Sequence, residues 1–219
     1  MHWTPLGDSA VLLTLPPRVD AVAVARRIEK ARPAGFIECV PAFESVAVCF
    51  DPMRTAVVEL TAELSKVLAR AVKKRMPAPR PRKVVIPVCY GGEFGPDLPD
   101  LAAQSGLGID AVVKLHAAGR YVVRALGFMP GFPYLSGLDK RLHTPRRATP
   151  RTRIPAGSVG IGGAQTGVYP LASPGGWNLI GSTPLALFNA SQPDAPTLLR
   201  PGDRVHFKPI RAEEFAKWK

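Results

Sequence analysis

The chain is poor in cysteine and in acidic residues, and it has no long apolar run. Cys39, Cys49 and Cys89 are the three cysteines among 219 residues, widely spaced and without a C-x-x-C pair. Neither a disulfide framework nor a zinc site is expected from that spacing, no metal ligands are assigned, and a reduced cytoplasm is the natural compartment. No apolar run reaches the roughly 20 residues of a membrane-spanning helix. The opening Met1-His2-Trp3-Thr4-Pro5 has no basic stretch followed by an apolar one, so no secretory signal is expected. Aromatic residues make up only 7%, yet 46% of residues are hydrophobic, which is enough to bury a core. No repeat of fixed period is present.

The shortage of acid leaves 29 basic against 17 acidic residues, a formal charge of +12. Such a balance raises the question of nucleic acid. The basic residues fall in two places. Lys73, Lys74, Arg75, Arg80, Arg82 and Lys83 decorate a helix end and the proline-rich stretch after it, where the helix dipole favours cations. Arg146, Arg147, Arg151 and Arg153 lie in a loop. No helix-turn-helix, zinc finger or RNA-binding aromatic motif accompanies either group, so no nucleic-acid partner is expected, and no membrane partner either.

Periodicity divides the chain. Ser9–Leu15 reads as a buried strand, Asp20–Ala31 as a helix, and Phe36–Val40 and Ser45–Phe50 as strands. Thr55–Arg75 has the strongest helical stripe, with Val57, Leu60, Leu64, Val67 and Ala71 at three- and four-residue steps. The order β-α-β-β-α predicts an α+β N-terminal domain over 1–76, with helices on one face of an antiparallel sheet. Alternate prolines at 77–82 stop the helix and form a linker. Over 83–219 a mainly β domain is expected, a barrel or sandwich. It opens with a strand at Lys83–Val88, has helices near Asp97–Ala103 and Ile109–Ala118, and a strand at Tyr121–Leu126. Short apolar runs follow at Val159–Ile161, Leu179–Ile180, Leu185–Phe188 and Arg204–Phe207.

Four stretches carry candidate chemistry. Gly127–Leu135 sets Phe128, Pro130, Phe132 and Tyr134 among turn-forming residues, either as a rigid wall for a ligand or partner, or as a structural corner. Pro145–Pro155 alternates arginine with proline. Arg146 and Arg151 there are either an anion-gripping pair or a solvated basic face. Gly157–Gly167 is glycine-rich but fits no nucleotide loop. Gly167 is followed by Val168 and Tyr169 rather than Lys and Ser/Thr, and Gln165 stands where a dinucleotide fingerprint needs glycine. Ser158 misses the first glycine of a nucleophile elbow. Gln165 and Thr166 offer an amide and a hydroxyl, groups that suit a neutral amide ligand. His116 closes a predicted helix, as an acid/base group or as a packing residue. Trp177, in the turn Ser173–Trp177, is a stacking plate, a subunit contact or a barrel-closing aromatic.

Four motifs occur in order: GFMPGFPYLSGLD, PRRATPRTRIPAGSVGIGGAQTGVYP, SPGGWNLIGSTP and LLRPGDRVHFKP. With them, residues 83–209 strongly resemble the family of B-type 5-oxoprolinase subunits, also called KipI-like or allophanate hydrolase subunit 1. The resemblance implies an α+β N-terminal domain and a cyclophilin-like barrel. It also implies a heteromer with a C-type (subunit 2) partner, inactive without it, and ATP-dependent opening of 5-oxoproline to glutamate or a related allophanate or amide hydrolysis. ATP is the implied cofactor, bound only with partner subunits since no ATP motif is present. His116, Arg146 and Arg151 then take catalytic roles. Phe128, Pro130, Phe132, Ser158, Gln165, Thr166 and Trp177 take substrate-binding ones, toward a small amide or lactam. His116 and Gln165 are expected to share one cleft. Some members of the family inhibit a sporulation histidine kinase, which is the alternative function. One departure is Gly181-Ser182-Thr183, where the family pattern has Gly-Arg-Thr.

Overall fold

The computed structural model describes residues 2–73 and 81–218, with side chains from 70 to 73 left aside. Most of the linker at 77–82, and Lys74, Arg75 and Arg80, lie outside the described residues. The chain divides into two compact units, Met1–Arg80 and Pro81–Lys219.

In the first unit the strands are β1 (His2–Pro5), β2 (Ala10–Thr14), β3 (Phe36–Ala42) and β4 (Ser45–Phe50). They form an antiparallel sheet in the order β1-β2-β4-β3. Helices α1 (Ala21–Ala31) and α2 (Val57–Lys73) share one core with it. Asp20 caps α1, its carboxylate accepting from the Val22 N–H, as expected of an acidic N-cap. The α2 stripe is buried at Leu60, Leu64 and Leu68; Val67, the other residue within a turn of Leu64, is only half-buried. Strand β1 carries no periodic signal. It is short, it ends on a proline, and tertiary pairing holds it: β2 supplies its backbone partners, and the Trp3 indole N–H donates to Ser65 Oγ of α2 at 3.1 Å.

The second unit is built on a closed barrel. Its strands are β5 (Lys83–Tyr90), β6 (Tyr121–Leu126), β7 (Pro133–Ser136), β9 (Ser158–Gly162), β10 (Gln165–Val168), β12 (Asn178–Ser182) and β13 (Arg204–Pro209). They close in the order β10-β7-β6-β13-β5-β12-β9. Two further strands, β8 (Arg151–Ile154) and β11 (Ser173–Gly175), pair as a separate ribbon. Inward residues such as Ile86, Val123, Leu135, Val159, Ile161, Val168 and Phe207 fill the interior. Helices α3 (Leu98–Gln104) and α4 (Ile109–Ala118) add Leu98, Leu101 and Val112 to that core. Leu185–Phe188, expected to be strand-like, makes only an isolated bridge from Phe188 to Thr197. A short helix α5 (Ala212–Lys217) closes the described chain; its charged sequence has no apolar stripe to predict it. Among the described residues no helix is long and apolar enough to cross a membrane.

Candidate functional site

The barrel wall at β9 and β10 has two different faces. Thr166 stands opposite Ile161, and Gln165 opposite Gly162. Successive strand residues point to opposite sides, so Thr166 enters the barrel and Gln165 leaves it.

Inside, Thr166 meets His116 at the end of α4. The His116 ring is fully buried and lies 4.6 Å, centroid to centroid, from Phe207 at an angle of 26°. Thr166 Oγ1 donates to the Gly160 carbonyl at 2.9 Å, so it accepts from His116 Nε2 at 3.0 Å. His116 Nδ1 then accepts from the Tyr90 hydroxyl at 2.7 Å. This order sets the tautomer, with the proton on Nε2. Burial pushes the imidazole pKa down to about 3 and raises that of the Tyr90 phenol, because a dry interior penalises charge on either. His116 is therefore neutral with both nitrogens engaged, and Tyr121 donates to its carbonyl at 2.8 Å.

Outside, the glycine-rich sequence has a packing reason. Gly160 and Gly167 are cross-strand partners, and with Gly162 they make a bed for Trp177. A Cβ on Gly162 would fall 2.6 Å from the indole Nε1; one on Gly167 would fall 3.1 Å from the indole and 2.6 Å from the Pro133 carbonyl. Phe132, Tyr134, Tyr169 and Trp177 surround this bed edge to face, the geometry favoured by ring quadrupoles. Phe132 and Trp177 are buried, Tyr134 is half-buried, and Phe128 is 63% exposed. Phe128 also has a φ of 70°, rare outside glycine, which costs about 1–2 kcal/mol. Its ring meets Phe132 at 5.6 Å. The wall expected of these aromatics is thus a packed cluster, with Phe128 and exposed Pro130 at its lip.

The arginine loop is held by a carboxylate that sequence reasoning did not single out. Asp97 is 3% exposed. It takes a two-point fork from Arg151, one bond from Arg147 at 2.7 Å and one from the Leu179 N–H at 2.7 Å. Burial alone would raise its pKa; the Arg151 fork, the Leu179 N–H and the charges of Arg151 and Arg147 outweigh burial and hold it below the usual value. Asp97 precedes α3, where an aspartate reads as a helix cap, but its side chain makes no cap bond. Arg151 is therefore internally neutralised. Arg146 is exposed, has no carboxylate partner among the described residues, and its charge lowers the Tyr169 pKa, which burial raises overall.

The expected site residues thus separate into groups. His116 and Thr166 come together inside the barrel, with Tyr90 as an unforeseen third member. Gln165 lies on the other side of the wall, so the shared cleft expected for His116 and Gln165 does not form. Gln165 is on the face that carries Trp177, with Phe128, Pro130 and Phe132 in the adjoining cluster. Ser158 is buried in β9, paired to Ser182. Ser182, at the position where the family pattern has arginine, is half-buried on β12. Among the described residues no group of three or more His, Cys, Asp or Glu side chains is placed to hold a metal ion.

Comparison with known proteins fits this architecture. The family described as carboxyltransferase domain, subdomain C and D, matches residues 1–199. The B-type subunit of the Bacillus subtilis 5-oxoprolinase is 45% identical, over 98% of this chain and 95% of that one. Its counterpart in Escherichia coli O157:H7 is also 45% identical, over 93% and 94%. The crystal structure of TTHA0988 superimposes with a TM-score of 0.79 at 39% identity; the match covers 93% of this chain and 40% of that one. The chain belongs to the carboxyltransferase subdomain C and D family, within its branch of B-type 5-oxoprolinase subunits.

Proposed function

We propose that this chain is the B-type subunit of a cytoplasmic, ATP-dependent 5-oxoprolinase, opening 5-oxoproline to glutamate together with a C-type (subunit 2) partner. The observation that carries this is the 45% identity to the Bacillus subtilis protein over nearly the whole of both chains. The reading treats 1–76 and 83–219 as its two domains, joined through 77–82.

A lactam is a poor electrophile, and bound ATP would supply the activation of its carbonyl oxygen. The glycine-rich strands here do not fit a triphosphate, since the Trp177 indole fills the space above Gly160, Gly162 and Gly167. No nucleotide step is therefore assigned to this subunit. Its own contribution lies on the outer face of the wall. Arg146 offers a charge for a carboxylate or for developing negative charge, and the Gln165 amide can both donate to and accept from a lactam. Phe128 and Pro130 exclude water at the lip. His116 works at one remove, as a positioning residue that fixes β10, and with it Gln165, through Thr166.

The test is reconstitution with the remaining subunits. ATP hydrolysis dependent on 5-oxoproline, with glutamate as product, is expected for the complex and not for this chain alone. Turnover of allophanate in place of 5-oxoproline, or inhibition of a histidine kinase without amide turnover, would replace the reading.

A further inference from the structure

The outer face of three neighbouring barrel strands carries charge of one sign. Along β13, Arg204, His206 and Lys208 are exposed while Val205 and Phe207 are buried. Arg204 stands beside Lys83 of β5 on one side and Val122 of β6 on the other, and His206 beside Val85. Lys83, Arg120, Arg204 and His206 line a groove of about 680 Å³, with Val84, Val85 and Val122 contributing apolar surface. Val85 is 53% exposed.

No carboxylate among the described residues answers Lys83, Arg120, Arg204 or Lys208. Asp203, next in sequence to Arg204, is buried and turned to Arg82 at 2.6 Å. Asp139 closes on Arg141 at 2.7 Å. Lys83 and Arg204 therefore sit side by side on adjacent strands as an uncompensated like-charge pair, an unfavourable arrangement in an isolated sheet. An exposed valine flanked by basic groups is matched by an apolar residue flanked by carboxylates. A magnesium nucleotide is a poor fit, since no lining residue carries a carboxylate for the metal. A phosphate backbone has no use for the valines.

We infer that this face of β5, β13 and β6 is a docking surface for an acidic, partly apolar segment of the partner subunit. The inference rests on the subunit reading above and adds the surface and its chemistry. The chain's charge of +12 makes an acidic partner the complementary one.

The experiment measures binding of the full chain to its C-type partner by isothermal titration at about 50 and about 300 mM salt, for wild type, K83Q/R204Q and K83E/R204E. Both positions are exposed, so the variants are expected to fold. Wild-type affinity should fall about tenfold across this salt range, because exposed charges are screened within a Debye length. Charge reversal should weaken low-salt binding at least tenfold and flatten the salt dependence, with the neutral variant in between. A complex indifferent to both variants and to salt overturns the docking surface and leaves the subunit reading standing. Absence of any wild-type complex overturns both. A 20-base-pair DNA duplex that displaces the partner from the wild type, and fails to bind K83E/R204E, assigns the face to nucleic acid and overturns the inference as well.

Discussion

Arg151 grips Asp97 with both ends of its guanidinium, Nη1 to Oδ2 and Nη2 to Oδ1, each at 2.8 Å. The contact joins the start of β8 to the residue before α3, and through the Leu179 N–H to β12. It makes Asp97 the point on which loop geometry depends. It also separates two arginines that look alike in sequence, Arg151 inside the clamp and Arg146 outside it.

Asp97→Ala leaves two guanidinium groups and a backbone N–H without their shared acceptor. Removing one partner of a fully buried ion pair costs about 3–5 kcal/mol. Arg147 and Arg151 keep 35% and 26% side-chain exposure, so a smaller loss of about 2–3 kcal/mol is expected. Urea unfolding measures it. The folded-state pKa of Asp97 is lowered, so its stabilisation is complete above the unfolded carboxylate pKa of about 4 and is lost as pH falls below it. Asp97→Asn should accordingly show a shallower loss of stability below about pH 4 than wild type.

Arg146 and Arg151 should separate under alanine substitution. Arg151→Ala breaks the fork and is expected to lower stability by about 2 kcal/mol. Arg146→Ala should stay within about 0.5 kcal/mol in unfolding experiments, yet reduce kcat/KM of the reconstituted complex by about tenfold, the loss of one charge-assisted contact of about 1.4 kcal/mol. Equal kinetics for Arg146→Ala and wild type would remove Arg146 from the substrate site.

His116 leaves a pH signature in stability. Its folded pKa is lowered to about 3 from an unfolded value of about 6.5. Between these values the unfolded chain takes up a proton that the folded chain refuses. Stability is therefore full above about pH 6.5 and declines steadily as pH falls toward about 3. His116→Gln should cost about 2–4 kcal/mol at pH 7.5, through lost hydrogen bonds and packing, and should lose less on going to pH 5 than wild type does. Denaturant melts at the two pH values decide this; parallel losses would contradict a buried neutral imidazole.

Gly162→Ala drives a methyl group into the Trp177 indole, with the nearest ring atoms at 2.6–2.7 Å. Overpacking of this kind costs about 1–3 kcal/mol. In a background with Trp3→Phe and Trp218→Phe, the remaining indole should shift its emission to longer wavelength as it is pushed off its bed. Gly163→Ala, which meets nothing within 4 Å but has a φ of 63°, should cost about 1 kcal/mol and leave the emission unchanged.

Local periodicity alone was sufficient for α1, α2 and β4, because each repeats its apolar residues at the period of its own backbone, and an unbroken apolar run was sufficient for β2. The family followed from four motifs in order, and the shortage of paired cysteines and long apolar runs bounded the chemistry without any tertiary contact. Tertiary structure decided the rest, and it did so where a residue's role depends on a distant partner. Gln165 and Thr166 are neighbours in the motif, but the strand pleat sends one outward beside the Trp177 bed and the other inward to His116, 50 positions away. Asp97 reads as the start of a helix until Arg147 and Arg151, 50 and 54 residues later, claim its oxygens. Glycines at 160, 162 and 167 read as a loop, and only the indole laid across them shows that they are strand residues kept bare. Sequence patterns record the period of an element and the face it buries. Which side chain meets which across the barrel wall is set by strand register and closure, and those exist only once the chain has folded.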